Sequence, residues 1–301
     1  MLGEKSAFAK EAHAGNFIAA GFIQDRDLTG HLPDSWRDFN REFIPLFLDQ
    51  NPKKTRIAAG LACGMLWTIT KGVQIGDVVL VPDGKGQYYT GEVTGNYEYH
   101  KGQKLPHRRS VRWLSRMIAR DEMSDQLKNS TGSIGTVSNI SKYANEIEAL
   151  LSGSRLASII ATDESIEDPS MFALEKHLED FLVKNWDHTE LSKHYDIYEE
   201  DGKKVGQQYS SDTGPIDILA VSKDKKEILV IELKKGRASA VVVGQIQTYM
   251  GYVKEELLER GQVVKGIIIS LEGDERLRNA LRVTENIDFY TYTINFKLEK
   301  K

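Results

Sequence analysis

The chain has 301 residues, enough for two domains, and its 40% apolar content can supply ordinary hydrophobic cores. Because 44 acidic side chains outnumber 40 basic ones, the overall basic excess typical of many nucleic-acid-binding proteins is absent. The chain has no apolar run of the roughly 18 residues that a membrane span needs, no secretory signal and only one cysteine, so we expect a cytoplasmic protein without membrane contact or internal disulfide.

The N-terminal half passes from helical sequence into turn-rich, strand-forming sequence. Apolar residues between Trp36 and Phe47 recur at helical spacing and predict a helix with a buried face. From about Lys71, β-branched and aromatic residues alternate between glycine-containing turns such as Gly76-Asp77 and Gly95-Asn96. Short strands joined by tight turns are typical of a small β-barrel, and a polar loop and a closing helix follow it.

A basic stretch and several aromatic residues accompany this predicted barrel. The sequence HRRSVRWLSR contributes Arg108, Arg109 and Arg112, which are candidates for contacts with a phosphate backbone. Aromatic rings could hold a base that has swung out of its helix, but strands favour Tyr and Trp as core residues in any case. The aromatic candidates are Trp67, Tyr97, Tyr99 and Trp113.

The C-terminal half begins after a stretch of small and acidic residues. We place the first domain at residues 1–155, a linker at 156–167 and the second domain at 168–301. Asp168-Pro169-Ser170 predicts a helix start, because an acidic cap precedes a proline at the first helical position. Glu175 and Glu179 lie one turn apart on this helix, either as solvated charges or as part of a site.

Charged residues lie inside a predicted β-hairpin, whose two apolar runs are Ile216–Val221 and Ile228–Leu233. Asp217 lies at the start of the first strand, and Glu232 and Lys234 lie at the end of the second. Glu232 and Lys234 share a face because side chains two apart on a strand point the same way. Buried charges need partners or a metal ion, so the structural alternative is a salt-bridged sheet edge. Two carboxylates and an ammonium group also suit Mg²⁺, with the lysine assisting a water molecule and stabilising charge on a phosphate.

Further candidates follow the hairpin. Lys235 and Arg237 form a basic lip beside the predicted site, where they could bind phosphates. The next helix, predicted over 238–260, places Gln245 and Tyr249 on one face. Gln245 could orient a ligand or contact phosphate, or it could pack against the sheet as a structural polar residue.

The predicted order is helix, three antiparallel strands, helix and then a buried strand at Val263–Leu271 that pairs in parallel after the crossover helix. This αβββαβ order and its polar residues resemble the PD-(D/E)xK nuclease superfamily. The wider string GxIDILA…VIELK…GQ…Y looks most like the catalytic domains of NucS-type endonucleases and of predicted Mrr-like restriction endonucleases. The residues that carry the resemblance are Pro215, Asp217, Glu232, Lys234, Gln245 and Tyr249.

The N-terminal half resembles the PUA-like barrels of EVE, YTH and SRA modules, which are also found before predicted Mrr-like nuclease domains. Gly76-Asp77 with the following VVLVP, and Gly91-Glu92-Val93, carry this similarity. The two resemblances together imply a two-domain α+β or α/β protein, with a PUA-like barrel and a restriction-endonuclease-like core.

The nuclease resemblance implies a Mg²⁺-dependent DNA endonuclease in which Mn²⁺ can substitute. It implies metal ligands at Asp217, Glu232 and Glu175, with Lys234 and Gln245 completing the catalytic set. Tyr249 would join the basic lip in binding DNA.

The likeness to restriction enzymes leads us to expect a homodimer that restricts phage DNA and reads a modified base. Two alternatives stay open. One is a repair nuclease that cuts mismatched or branched DNA, and the other is a nucleic-acid reader whose nuclease fold is inactive.

Overall fold

A computed structural model describes residues 2–3, 6–132, 137–152 and 178–292. The chain divides into two compact units, Met1–Ile160 and Ala161–Lys301, and each has its own sheet and apolar core. The predicted two-domain α+β class is confirmed. The predicted linker, 156–167, and the predicted helix start at Asp168 lie outside the described residues.

The first unit contains five described helices and five described strands. Its helices are α1 (Ala9–Ala14), α2 (Trp36–Gln50), α3 (Arg56–Trp67), α4 (Asp125–Thr131) and α5 (Ala144–Ser152). Its strands are β1 (Phe17–Ala20), β2 (Val78–Pro82), β3 (Gln87–Tyr99), β4 (His107–Trp113) and β5 (Ile118–Ala119).

The strands of the first unit form a half-barrel in the order β1-β4-β3-β2, with β5 paired to β3 and every pairing antiparallel. The register between β3 and β4 shifts between Val93 and Tyr97, where the long strand β3 is irregular. Strand β1 was not predicted from the sequence, because its four residues, FIAA, are too short to show a period.

Helices α2 and α3 cover this sheet with apolar side chains. The Ser35 hydroxyl accepts a hydrogen bond from the Asp38 amide and caps α2, as expected for serine at this position. Phe39 and Phe43 of α2 are fully buried, which confirms the predicted apolar stripe. Gly64 allows α2 and α3 to approach closely, because a Cβ atom there would lie 2.3 Å from the Trp36 ring.

The second unit alternates strands and helices around one mixed sheet. Its strands are β6 (Tyr195–Ile197), β7 (Gln207–Ser211), β8 (Gly214–Ser222), β9 (Glu227–Ala238), β10 (Val263–Gly273) and β11 (Ile287–Thr291). Its described helices are α6, seen over residues 178–184, α7 (Val241–Tyr252) and α8 (Glu275–Arg282). None of the helices in the described part of either unit is long and apolar enough to cross a lipid bilayer.

The sheet of the second unit has the order β11-β10-β9-β8-β6, and β7 pairs with β8. The predicted hairpin is confirmed as the antiparallel pair β8–β9. The predicted parallel strand is also confirmed, since β10 runs parallel to β9 after α7, and β11 runs parallel to β10. Strand β7, which pairs antiparallel with β8, was not predicted. Its sequence, QQYSS, is polar and lacks the apolar alternation that indicates a strand.

Candidate metal centre

The hairpin β8–β9 places the predicted acidic pair side by side. Ile218 pairs with Ile231, so Asp217 lies one residue beyond this pair on β8 and Glu232 one residue beyond it on β9. The Leu233 amide donates a hydrogen bond of 2.8 Å to Asp217 Oδ2 and fixes that carboxylate against the neighbouring strand. The three predicted residues Asp217, Glu232 and Lys234 therefore meet at the end of the hairpin.

The charges in this cluster are closely coupled. Lys234 Nζ lies 3.2 Å from Glu232 Oε1; the lysine side chain is 31% exposed and the glutamate side chain only 3%. Burial raises the pKa of the Asp217 carboxyl well above its usual range, and the neighbouring carboxylates Glu232 and Glu179 raise it further. The Leu233 amide and Lys234 oppose this rise without cancelling it. The cluster thus concentrates negative charge that a cation would neutralise.

Helix α6 contributes Glu179 to the same cluster. Glu179 is 3% exposed, and its two oxygens accept hydrogen bonds from the side-chain amides of Gln207 (2.7 Å) and Gln208. The sequence favoured Glu175 as the helix glutamate of the site, but Glu175 lies outside the described residues. Glu179, one turn later, is the glutamate that the described structure brings to Asp217.

Sequence reasoning missed Gln208. Its amide donates to Glu179 and also to Asp217 Oδ1, at 3.3 Å. The available signal was the pairing of a short polar strand with β8, which places Gln208 across from Asp217. Without β7 in the predicted set, this neighbour could not be found.

Helix α7 presents Gln245 and Tyr249 toward the cluster. Tyr249 is buried, and burial raises the pKa of its phenol. A hydrogen bond with Gln245 lowers that pKa, and the charges of Glu232 and Asp217 raise it, so the ring lies within electrostatic reach of both carboxylates. The contact that the structure shows for Gln245 is therefore with Tyr249 on its own helix.

The predicted basic lip lies on the last residues of β9. Arg237 is exposed, and Lys235 is half-buried. The Tyr292 hydroxyl donates a hydrogen bond to the Lys235 carbonyl and holds this part of the strand. The lip thus follows directly after Lys234 on the same strand.

The donor set fits a hard divalent cation. Carboxylate oxygens are the ligands that Mg²⁺ prefers, and this ion usually keeps several waters and takes only one or two protein carboxylates. Within residues 178–292, as in the rest of the described chain, no group of three His, Cys, Asp or Glu side chains is placed so that it could hold a metal ion. The pair Asp217 and Glu232 supplies two carboxylates at the end of the hairpin.

The aromatic residues of the first unit are divided among separate contacts. Tyr97 and Tyr99 both pack against His107, with ring centroids 5.8 and 5.5 Å away. Trp67 packs edge-on against Phe39 at 5.5 Å. Trp113 contacts a further pair, His13 and Tyr89. Among the described residues, these ring contacts form three clusters and do not assemble the four candidates into one cage.

The arginines of β4 differ in their surroundings. Arg112 is exposed and paired with Glu92, and the Arg108 guanidinium lies 3.8 Å from the centre of the Phe17 ring. Arg109 is only 4% exposed; it donates to the Gly95 carbonyl at 3.0 Å, and burial lowers its pKa. Such a side chain is held inside the protein, so its placement does not favour the predicted phosphate contact.

Two family models match this chain. Residues 2–141 match a domain of unknown function (DUF8426), and residues 175–295 match the Endonuclease NucS C-terminal domain. The first match carries no activity, so the PUA-like resemblance of the first unit stays a hypothesis. The second match covers the hairpin with Asp217, Glu232 and Lys234.

Two curated relatives are similar to part of this chain. Endonuclease NucS of Methanocaldococcus jannaschii is 34% identical over 97 residues, which are 31% of this chain and 34% of the relative. Endonuclease NucS of Sulfolobus acidocaldarius is 28% identical over 125 residues, which are 41% of this chain and 43% of the relative. The chain thus spans less than half the length of these relatives.

Solved structures show a weaker similarity. A repair endonuclease from Pyrococcus abyssi has 15% identity and a TM-score of 0.32, over 73% of this chain and 66% of that one. A complex of EndoMS with double-stranded DNA has 14% identity and a TM-score of 0.33, over the same shares of the two chains.

Proposed function

We propose that this chain, whose residues 175–295 carry an endonuclease domain of the NucS C-terminal type, is a Mg²⁺-dependent DNA endonuclease that hydrolyses phosphodiester bonds. The observation that supports it most is the meeting of Asp217, Glu232 and Lys234 at the end of one hairpin. Mn²⁺ has the same preference for carboxylate and water ligands and could replace Mg²⁺.

The residues of the cluster divide the work. Asp217 and Glu232 would hold the ion, which when bound supplies a Lewis acid that polarises the phosphate and lowers the pKa of a bound water. Lys234, held beside Glu232, would stabilise the negative charge that develops on the phosphate and assist the attacking water. Gln245 and Tyr249 would orient the reacting groups from α7, and Glu179 would add negative charge behind Asp217.

Substrate binding requires positive charge near the site. Lys235 and Arg237 follow Lys234 on β9 and would hold the DNA backbone without reading its sequence. A local basic surface is enough to bind DNA, so a net charge of −4 for the whole chain agrees with this proposal.

Removal of a metal ligand tests the activity. Asp217→Asn and Glu232→Gln each delete a charge and little volume, so we expect both to abolish cleavage of plasmid DNA while the protein stays folded. Glu227→Gln is the matched control, since Glu227 lies on the same strand but pairs with Lys265 at 2.8 Å. Cleavage should require Mg²⁺ or Mn²⁺ and stop with EDTA. Full cleavage by either ligand variant at saturating Mg²⁺ would contradict the proposal.

For the biological role, we propose restriction of foreign DNA, with the first unit reading a modified base. The first unit is compact by itself, and its exposed Arg112 and the Arg108 guanidinium, which lies over the Phe17 ring, support this role. Cleavage of phage DNAs with plain, methylated and hydroxymethylated bases, by the full chain with Mg²⁺, tests it. Equal cleavage of all of them would contradict the reading of a modified base.

We also propose that the chain acts as a homodimer, which would bring two nuclease units to one duplex. Sedimentation of the full chain with and without DNA tests the stoichiometry. A monomer in both conditions would exclude this arrangement.

Repair of mismatched or branched DNA is the second candidate function. The match of residues 175–295 to the Endonuclease NucS C-terminal domain, together with the 34% identity to an Endonuclease NucS over 97 residues, favours this candidate. Duplexes with single mismatches, with branches and with perfect pairing separate the two roles, since a repair enzyme should cut the first two in preference.

The third alternative, an inactive reader, is disfavoured because the charged cluster is retained at a cost in stability.

A further inference from the structure

Gln208 occupies a strained position across from Asp217. The pairs on either side, Gln207 with Ile218 and Tyr209 with Ile216, are in regular antiparallel register. Gln208 itself has a φ of +52°, in the left-handed region that non-glycine residues rarely adopt. Strain of this kind persists where the surrounding structure requires it and is often found at functional sites.

The backbone before Gln208 is closely packed. The Gly206 carbonyl accepts a 2.7 Å hydrogen bond from the Leu219 amide, and its amide donates to the Tyr198 carbonyl at 2.9 Å. A Cβ atom at Gly206 would lie 2.2 Å from the Leu219 carbonyl oxygen, so the chain has no room to shift there. The conformation at Gln208 is therefore imposed by its neighbours on both sides.

The side-chain amide of Gln208 joins two carboxylates. Its Nε2 donates to Glu179 on α6 and to Asp217 Oδ1 on β8, and one amide nitrogen has the two hydrogens that this requires. The second oxygen of Asp217 accepts from the Leu233 amide, and the second oxygen of Glu179 accepts from Gln207. Hydrogen bonds thus hold both oxygens of each carboxylate in a fixed orientation.

We propose that Gln208 is the positioning residue of the metal site. Its neutral double donor holds Asp217 and Glu179 next to each other despite their like charges, and so presents Asp217 to the ion in one orientation. Partners that orient metal ligands in this way strengthen the binding of the metal. This inference rests on the proposed metal-dependent function.

Binding of Mn²⁺ to the full chain, followed by electron paramagnetic resonance without DNA, tests the inference independently of cleavage. Gln208→Asn keeps an amide and tolerates the left-handed conformation, but it is one methylene too short to reach both carboxylates. Gln208→Leu keeps the approximate size and removes the donors. We expect the dissociation constant for Mn²⁺ to rise by about 10- to 100-fold in both variants.

The matched control is Lys225→Asn. Lys225 also has a left-handed backbone, with a φ of +61°, but lies exposed in the turn between β8 and β9. Its replacement by asparagine should leave Mn²⁺ binding unchanged. The melting temperature of this control shows how much asparagine at a left-handed backbone position changes the stability of the protein. Circular dichroism and thermal unfolding in EDTA identify the temperature at which all variants are folded, and binding is compared there.

The outcomes separate the two hypotheses. If the Gln208 variants bind Mn²⁺ as wild type does while Asp217→Asn loses binding, the metal site stands and the positioning role is wrong, even if the variants melt earlier. If wild type itself binds no Mn²⁺, the result contradicts both the proposed metal-dependent function and the positioning role of Gln208. If Gln208→Leu does not fold, Gln208→Asn alone decides.

Discussion

At the scale of single residues, Lys234 and Glu232 show how one strand can supply two chemical roles. The lysine reaches solvent and the glutamate two positions earlier does not, although their charged atoms are 3.2 Å apart. The buried carboxylate can hold an ion, and the exposed ammonium group can meet a phosphate. This difference in exposure supports the proposed role of Lys234 on the substrate side of the site.

Lys234→Met should separate catalysis from stability, because it keeps the aliphatic stem and deletes the charge. Loss of a charge-stabilising or proton-transferring group predicts a decrease in cleavage rate of roughly 10²–10⁴-fold. Lys226→Met, in the exposed turn before β9, is the control and should cleave normally. Rate and melting temperature are measured on the same samples. A destabilised variant with an unchanged rate would show that Lys234 is structural.

His107 makes the stability of the first unit depend on pH. It is fully buried; its Nε2 donates to the Ile23 carbonyl at 3.1 Å, and its Nδ1 accepts from the Tyr97 hydroxyl at 2.9 Å. These partners satisfy a neutral imidazole that carries its proton on Nε2, and burial lowers the pKa of the imidazole.

Acidification should therefore destabilise this unit through His107. The unfolded chain takes up a proton near pH 6.5 and the folded chain only at lower pH, so the contribution of His107 is complete above about pH 6.5 and decreases below it. Urea unfolding at pH 5, 6 and 7 gives the free energy of unfolding at each pH. This free energy should rise less steeply with pH for His107→Gln than for wild type. His31→Gln, which changes an exposed histidine, should keep the wild-type slope. Equal slopes for all three proteins would contradict the prediction.

At the scale of elements, strand β4 shows that alternation decides which arginines can meet DNA. His107, Arg109 and Val111 face the interior, whereas Arg108 and Arg112 lie on the other side of the strand. The buried guanidinium of Arg109 contacts the Gly95 and Thr70 carbonyls, which lie in other segments. Arg109 thus serves packing and hydrogen bonding, and the half-buried Arg108 and the exposed Arg112 keep the nucleic-acid role proposed for this strand.

Arg109→Met should reduce the free energy of unfolding by about 1–3 kcal/mol, because it leaves buried carbonyl groups without their donor. Arg112→Met should change it by less than about 0.5 kcal/mol, since its salt bridge with Glu92 is exposed. Arg112→Met should instead weaken DNA binding and reduce its salt dependence. Urea unfolding and DNA titrations at two salt concentrations measure both effects. If Arg109→Met weakened DNA binding and left the free energy of unfolding unchanged, Arg109 would be the residue that contacts phosphate.

At the scale of the whole molecule, each of the two units has an apolar core of its own among the residues that the structure describes. One set of buried residues surrounds Phe39 and Phe43 of α2, and another lies on the sheet of the second unit around Ile218 and Ile231. The described residues of the charged cluster all belong to the second unit. We therefore expect cleavage and substrate preference to depend on different parts of the chain.

A fragment of residues 161–301 should fold alone and cut DNA with Mg²⁺, but without the preference of the full chain. Its sheet and apolar core are complete within the unit, whereas the predicted recognition residues are absent from it. Circular dichroism tests folding, and cleavage of plain and modified DNAs by the fragment and the full chain tests preference. Retention of the full-length preference by the fragment would place recognition in the second unit.

The sequence by itself determined the features that depend on local pattern. Alternation of apolar residues identified the hairpin β8–β9, and the spacing of two positions placed Glu232 and Lys234 on one face. The run of isoleucines after a helix identified the parallel strand β10. These features could be predicted because each follows from residues that are close in the chain.

The tertiary structure alone decided which distant segments meet. It paired a polar strand with β8 and so brought Gln208 to Asp217, it brought Glu179 of α6 to the same carboxylate, and it buried Arg109 against carbonyls of other segments. None of these contacts has a periodic signature, because each depends on the register between elements that are separated in sequence. A shift of one residue in that register would point the same side chains to the opposite face of the sheet.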